Sequence, residues 1–218
     1  MTSRDIRILA DFCELCSQPE CPICAFVRRA EHRTLQIYCA EGAGDEQRRA
    51  DVRAARGLCG HHSHMLRDAR DALAAAVTAL DIMDNLLRDL TATNARSPWQ
   101  RRPNRPARCP VCVDVERYDR SVCAGIAAWA DDERLCTALA ASHGVCAPHL
   151  RTLATRGSLP PAFLDAQTTA WSRLRAEVAE YIRKRDDNYR READGGEADA
   201  WKRAWCLISG TRIHTHES

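Results

Sequence analysis

Cysteine and histidine occur in this chain as two sets with the same order and nearly the same spacing. Each set has a Cys-Pro-x-Cys motif followed, more than thirty residues later, by a Gly-x-Cys-x-x-His motif. Three thiolates and one imidazole complete a tetrahedral coordination sphere, a common arrangement for structural zinc. We therefore predict two zinc ions, each held by one set. The first set is Cys21, Cys24, Cys59 and His62, and the second is Cys109, Cys112, Cys146 and His149.

The choice of histidine follows from comparing the two sets. The first set offers His61, His62 and His64, whereas the second offers only His149 at the equivalent place. His149 aligns with His62, and Pro148 stands where His61 stands. We assign the ligand role to His62 and expect the other two histidines to be exposed or to support the site from outside.

The identity of the metal has an alternative, because three cysteines and one histidine can also hold an iron–sulfur cluster. Cys13 and Cys16 lie close to the first set, while Arg101 and Asn104 stand at the equivalent places before the second. We interpret the extra pair as spare thiols, with a third metal site or a redox pair as alternatives. Such thiols would make the first set lose metal to oxidant before the second.

The elements that must position these residues are predicted to be helices. Ala, Leu and Arg dominate the composition, aromatic residues make up 6%, and Gly numbers 10, which favours helix over strand. Within each set the sequence reads as helix, break, helix, with Asp131 as a candidate N-cap in the second. An antiparallel hairpin would bring the second motif back to the first. We predict an all-α fold of two tandem pseudo-repeats, each a metal-closed helical hairpin followed by a long helix.

The long helices are predicted at about 65–92 and 161–191, and we expect them to pack against each other. The first carries apolar residues at alternating steps of three and four, a heptad seam that needs a partner helix. The seam is Leu66, Ala69, Leu73, Ala76, Leu80, Met83, Leu87 and Leu90. The predicted organisation is a lead-in of one or two helical turns (1–20), a first repeat (21–96), a Pro/Arg-rich linker (97–108), a second repeat (109–192), and a short helix with a tail (193–218).

Composition also limits the kinds of binding partner and the cellular compartment that we expect. A formal net charge of +2 produces no global field that would require nucleic acid or a membrane. The N-terminus has no apolar run typical of a signal peptide, and no stretch approaches a membrane span. We therefore expect a cytoplasmic protein, in which the 12 cysteines are thiols or metal ligands rather than disulfides.

The duplicated motifs, together with the segments 181–190 and 197–205 and the pair Ser209-Gly210, resemble a family of uncharacterised bacterial proteins with a domain of unknown function. The resemblance covers about residues 20 to 210 and implies the architecture and the metal ligands, but no reaction. The Asp-Asp-Asn stretch before Tyr189 and the Cys13/Cys16 pair depart from the family's pattern.

We expect a structural zinc protein that acts as a binding or scaffold module for an unidentified protein partner. An iron–sulfur or thiol-based sensor is the alternative, and nucleic-acid binding through the arginines of the linker and tail ranks below both. We find no phosphate-binding loop, His-Glu-x-x-His motif or nucleophile elbow. An enzyme would need an active site assembled by the fold alone.

Overall fold

The regular structure in the described part of the chain is entirely helical, which confirms the predicted all-α class. The computed structural model describes residues 3–40, 44–68, 71–91, 107–189 and 191–210. No described helix is both long enough and apolar enough to pass through a bilayer. The helices in these ranges are α1 (Ser3–Leu15), α2 (Pro22–Ala40), α3 (Glu46–Ala54), α4 (Gly60–Arg67), α5 (Ala72–Thr91), α6 (Pro110–Ala128), α7 (Glu133–Ala141), α8 (Ala147–Ala154), α9 (Pro161–Arg183) and α10 (Ala200–Ser209).

These helices fall into two compact units. Of the described residues, those up to 28 and those from 118 onward form unit 1, and those between 29 and 117 form unit 2. In unit 1, α7 packs on α1 and α9, and α10 packs on α8 and α9. In unit 2, α5 packs on α3 and α4. Unit 1 therefore combines two segments that are distant in the sequence, whereas the described residues of unit 2 come from one stretch of the chain.

The core of unit 1 consists of large apolar side chains that are almost fully removed from water. Each such side chain contributes roughly 1.5–3 kcal/mol when transferred from water to the interior. This burial holds the helices around the first motif and those around the last motif in one unit. The largest of these side chains are Phe12, Leu15, Ile23, Ile126, Leu135, Leu139, Leu153 and Phe163.

Unit 2 has a smaller core, in which α4 contributes Leu66 and α5 contributes Ala74. An ion pair joins α3 to α5, because the Arg49 guanidinium donates to both carboxylate oxygens of Asp81 at 2.6 and 2.7 Å. The chain enters α3 through Asp45, whose side chain accepts from two backbone N–H groups of the first turn, as an N-cap does.

Several predicted boundaries are wrong. α1 has 13 residues, more than the expected one or two turns. The first long helix begins at Ala72 and not at 65, because α4 ends at Arg67 and the Asp71 carboxylate then accepts from the Ala74 N–H at 3.0 Å, as at the start of a new helix. α9 begins at Pro161 as predicted but ends at Arg183, and the N-cap of α7 is Asp132 rather than Asp131. Residues 97–106 of the predicted linker lie outside the described residues.

The apolar seam of α5 is exposed. Its large side chains have between 52% and 75% of their surface accessible to water, and Ala76 is also exposed. Leu66 belongs to α4 and is buried, while Ala69 lies outside the described residues. The opposite face of α5 is the one that packs, with Ala74 in the core and Ile82 against Gly57. The exposed seam residues are Leu73, Leu80, Met83, Leu87 and Leu90.

Candidate metal centres

The eight predicted ligands form two clusters, but each cluster combines the Cys-Pro-x-Cys motif of one set with the Gly-x-Cys-x-x-His motif of the other. Within each cluster the candidate ligand atoms all lie within 4.8 Å of one another. The expected pairing within each set is therefore wrong, since the chain does not fold each hairpin back onto its own first motif. Site I comprises Cys21, Cys24, Cys146 and His149, and site II comprises Cys59, His62, Cys109 and Cys112.

Each site lies within one unit and is built from the N-terminal ends of two helices. In site I, Cys21 directly precedes α2, and its carbonyl accepts the first helical hydrogen bond, from the Ala25 N–H at 3.0 Å. Pro22 fills the first helical position, where a missing N–H costs nothing. Cys146 is the N-cap of α8, and His149 follows three residues later. Site II repeats this with α6 and α4.

The atoms of site I lie at the separations expected for ligands of one small ion. With zinc–sulfur bonds of about 2.3 Å, tetrahedral geometry places two sulfurs about 3.8 Å apart and a sulfur and a nitrogen about 3.6 Å apart. The Sγ atoms of Cys24 and Cys146 are 3.7 Å apart. The His149 Nδ1 lies 3.6 Å from Cys21 Sγ, 3.4 Å from Cys24 Sγ and 3.1 Å from Cys146 Sγ.

Site II has almost the same dimensions. The Sγ atoms of Cys59 and Cys112 are 3.7 Å apart. The His62 Nδ1 lies 3.1 Å from Cys59 Sγ, 3.5 Å from Cys109 Sγ and 3.4 Å from Cys112 Sγ. The two sites therefore present the same donor atoms in the same arrangement.

A carboxylate holds the outer nitrogen of each histidine. His62 Nε2 lies 2.9 Å from Glu31 Oε1, and His149 Nε2 lies 3.2 Å from Asp119 Oδ1. Such a contact fixes the ring with Nδ1 turned towards the thiols and makes that nitrogen a stronger donor to a metal. Glu31 is buried and also contacts His61 Nε2 at 3.0 Å.

Sequence reasoning missed these two carboxylates, although the sequence carried a signal for them. Glu31 follows Cys24 by seven residues and Asp119 follows Cys112 by seven, which is two helical turns in each case. The carboxylate and the histidine it supports come from the same sequence set, whereas the Cys-Pro-x-Cys thiols of that site come from the other. His61 supports site II from outside and His64 is exposed, as expected.

The surroundings of both sites favour a positive charge at the centre. Burial opposes protonation of His62, but hydrogen bonding to Cys109 and Glu31 raises its pKa to about 10. Burial also opposes protonation of His149, but hydrogen bonding to Asp119 and Cys146 outweighs it and raises the pKa of His149 to about 12. Hydrogen bonding to Cys112 and His62 lowers the pKa of Cys109 to about 3, and hydrogen bonding to Cys146 and Cys21 lowers that of Cys24. The neighbouring thiol in each site shifts the other way: hydrogen bonding to Cys109 raises the pKa of Cys112, and burial raises that of Cys21. Two helix N-termini add positive potential beside the thiolates.

The loop that carries Cys146 is fastened to α9. The Gln167 side-chain oxygen accepts from the Val145 N–H at 2.9 Å, and its NH₂ group donates to the Val145 carbonyl at 3.1 Å. The Trp171 ring covers Gly144, where a Cβ would meet ring atoms at 2.9–3.0 Å. Gly144 has φ +88°, so both the backbone conformation and the close approach require glycine. Arg173 also donates to the carbonyls of Ala140 and Ala141.

The remaining described cysteines lie outside both sites. Cys13 is partly exposed and Cys16 is buried, and burial raises the pKa of Cys16 to about 12. Cys123 is buried beside Asp119, with 3.4 Å between its Sγ and the carboxylate Oδ1. Cys206 is exposed on α10. The described thiols are all free.

Comparison with known proteins identifies a family but no activity. The model of a family of unknown function, DUF6062, matches residues 6–215, so the chain belongs to that family. Searches of curated proteins and of solved structures found no match.

Proposed function

We propose that this DUF6062 protein binds two zinc ions, one at each site, and that the ions act structurally by fastening distant segments of the chain together. The observation that carries the proposal is the pair of clusters, each with three thiols and one imidazole nitrogen within 4.8 Å. Four protein ligands fill a tetrahedral sphere and leave no position for water or substrate, which is the mark of a structural site.

The spacing of the sulfur atoms favours a single ion over an iron–sulfur cluster. In a cluster with several irons the ligands are divided among different metal atoms, and ligands on different irons lie farther apart than ligands that share one ion. In each site here all four ligand atoms lie within 4.8 Å of one another. The sulfurs of Cys24 and Cys146 are 3.7 Å apart, as are those of Cys59 and Cys112. An iron–sulfur or sensor protein is therefore the second candidate, supported by the number of free thiols.

We also propose that the chain arose by duplication of a unit of about 88 residues. α2 and α6 both have 19 residues, α3 and α7 have 9, and α4 and α8 have 8. An ion pair joins the residues on either side of each Cys-Pro-x-Cys motif, and the acidic and basic partners exchange positions between the two copies. Glu20 pairs with Arg28 in the first copy, and Arg108 pairs with Glu116 in the second. The reversal at matching positions is the result expected if both partners changed after duplication.

For the partner-binding part of the function, we propose that the exposed seam of α5 pairs with α5 of a second copy. The heptad spacing from Leu73 to Leu90 is the self-complementary pattern by which identical helices associate. Ten half-exposed apolar side chains from two copies contribute on the order of 10 kcal/mol. This is comparable with the roughly 4–15 kcal/mol cost of association. The proposal therefore implies a concentration-dependent dimer.

Metal analysis tests the zinc proposal directly. Protein produced without a metal-chelating tag is expected to contain two zinc atoms per chain by elemental analysis. Removal by a strong chelator is expected to lower the unfolding temperature by at least about 10 °C, because metal binding and folding are coupled. Re-addition of zinc should restore the original melting curve.

Several outcomes would contradict the zinc proposal. Stoichiometric iron with visible absorption would support the second candidate instead. A metal-free protein with an unchanged melting curve would show that the clusters are ordinary buried thiols. As a matched control, Cys206→Ser changes an exposed thiol outside both sites and should leave the zinc content at two.

A further inference from the structure

The two sites differ in how far solvent reaches their thiols. In site I all four ligand residues are buried, and the three cysteines have no more than 1% of their surface exposed. In site II, Cys59 and Cys109 are partly exposed, whereas Cys112 and His62 are buried. Solvent therefore reaches two cysteines of site II in the folded protein, whereas the cysteines of site I are almost completely covered.

The loops that carry the last two ligands also differ in how they are fastened. Gln167 of α9 pairs with both backbone groups of Val145 in site I. The equivalent position on α5 is Thr78, because Gln167 and Thr78 each lie four residues before the side chain that contacts the loop glycine, Trp171 at Gly144 and Ile82 at Gly57. Thr78 has one short hydroxyl in place of a carboxamide that accepts and donates through two separate atoms. The Leu58 carbonyl, which corresponds to that of Val145, accepts a 3.3 Å hydrogen bond from the exposed Ser63 hydroxyl. Opening of the Cys59 loop therefore requires fewer hydrogen bonds to break.

We infer that site II is a labile, peroxide-sensitive zinc site, while site I is a permanent structural one. This inference rests on the proposed zinc binding and adds a regulatory role to one of the two sites. Two of its cysteines are partly exposed, and a neighbouring thiolate can resolve the first oxidation product, since the Sγ atoms of Cys59, Cys109 and Cys112 all lie within 4.8 Å.

The chemistry requires a hydroperoxide as oxidant. The accessible thiolate of Cys59 or Cys109 attacks one peroxide oxygen, the O–O bond breaks, and a sulfenic acid and hydroxide form. A neighbouring thiolate attacks that sulfur, a disulfide forms, and a second hydroxide leaves. Two thiolates, one hydrogen peroxide and two protons thus give one disulfide and two waters. With two of its four ligand sulfurs joined in a disulfide, site II would no longer hold a zinc ion.

Here zinc leaves site II first. The sequence predicts the opposite order, because Cys13 and Cys16 lie near Cys21 and would promote oxidation of the site that contains it. Cys16 is buried, and that burial raises its pKa to about 12, so little of it is the reactive thiolate at neutral pH. Cys13 is partly exposed, and burial, together with Asp132, raises its pKa as well. Neither is a strong competitor for peroxide.

Zinc release during peroxide treatment tests the inference. We expect the two-zinc protein to release one equivalent roughly 10-fold faster than the other, followed with a chromogenic zinc indicator. Alkylation and peptide mass spectrometry at the end of the fast phase should find a disulfide among Cys59, Cys109 and Cys112. The three cysteines of site I should remain reduced at that point.

Four variants test the assignment further. Cys59→Ala should remove the fast phase and leave one slowly released ion. Gln167→Ala should accelerate the slow phase, whereas the matched Thr78→Val should change neither phase appreciably. Changing Cys13 and Cys16 together to Ser should leave both phases unchanged.

The possible outcomes distinguish a failure of this inference from a failure of the proposed zinc binding on which it rests. Absence of zinc would defeat the proposed function itself. Two bound zinc ions that leave at one rate, or site I oxidised first, would overturn the labile-site inference while the zinc proposal stands. Loss of the fast phase in the Cys13/Cys16 variant would assign the sensitivity to those thiols.

Discussion

At the scale of single residues, the support given to the two histidines is similar in geometry but different in composition. Glu31 contacts both His62 and His61, whereas Asp119 contacts His149 and the Cys123 thiol. Burial raises the pKa of the Glu31 carboxyl, but the hydrogen bonds with His62 and His61 outweigh it, so the net pKa is lowered. Glu31 therefore carries a negative charge at neutral pH, directly behind the imidazole that faces the thiols.

Removal of this carboxylate is expected to weaken metal binding at one site only. Glu31→Ala should reduce zinc affinity at site II roughly 10- to 100-fold, the usual effect of losing a carboxylate behind a ligating histidine. Competition with a chelator of known affinity measures the change, and Asp119→Ala is expected to do the same to site I. His61→Ala should have a smaller effect, because the contact between Glu31 and His62 remains.

A control for this prediction lies close to site II. Glu116 pairs with Arg108 beside Cys109 but has no part in either cluster. Glu116→Gln should therefore leave both affinities unchanged. If the Glu31→Ala variant bound zinc with the same affinity as the parent protein, the prediction would be wrong. The carboxylate would then contact the His62 imidazole without contributing to metal binding.

At the scale of the elements, both sites use helix N-termini as ligand platforms. A cysteine lies at the start of each of the four helices and a second ligand lies three residues later. This spacing puts both ligands on the same side of the first turn, where the helix dipole favours negative charge. Three thiolates bound to one dication leave a net charge of −1, which two converging N-termini offset.

The exposed seam of α5 leads to a prediction about the oligomeric state. At micromolar concentrations the zinc-loaded protein should sediment as a monomer–dimer equilibrium. Leu80→Glu combined with Leu87→Glu should abolish the dimer, because burial of unpaired charges in the seam costs more than the apolar contacts contribute. Zinc content and helicity should not change, since both side chains point away from the core of unit 2.

Trp205 provides a matched control for the seam. It is 63% exposed on α10, in unit 1, and is as apolar as the seam residues. Trp205→Glu should leave the dimer intact. A parent protein that remains monomeric across the whole accessible concentration range would refute pairing through α5.

At the scale of the whole molecule, the motifs of the two sets exchange partners. Cys24 meets Cys146 across 122 residues of chain, and Cys59 meets Cys112 across 53. Each ion would therefore close a long loop, and the loop closed at site I contains all four ligands of site II. Closing long loops removes more conformational freedom from the unfolded chain than closing short ones.

Zinc counting in double variants tests this exchange. Cys24→Ala together with Cys146→Ala should leave one zinc atom per chain, because both residues serve site I. Cys24→Ala together with Cys59→Ala should leave none, because one ligand is missing from each site. Pairing within the sequence sets would give the opposite pattern: no zinc in the first double variant and one in the second.

The sequence by itself determined the features that depend on local spacing. The all-α class follows from composition and periodicity. The eight residues that gather in the clusters follow from two short motifs, and the choice of His62 over His61 follows from Pro148 in the other set. The seven-residue spacing from Cys24 to Glu31 is also in the sequence, but the sequence alone does not show which histidine the Glu31 carboxylate contacts.

Only the tertiary structure decided which motif meets which. A Cys-Pro-x-Cys turn has the same geometry beside either Gly-x-Cys-x-x-His loop, so local physics cannot choose between them. The choice is made by long-range burial, which places Cys21 with Cys146 in unit 1 and Cys59 with Cys109 in unit 2. The same reason applies to the partly exposed cysteines of site II and to the exposed seam of α5. Solvent exposure depends on which distant residues the fold packs against a side chain, and sequence periodicity does not identify those neighbours.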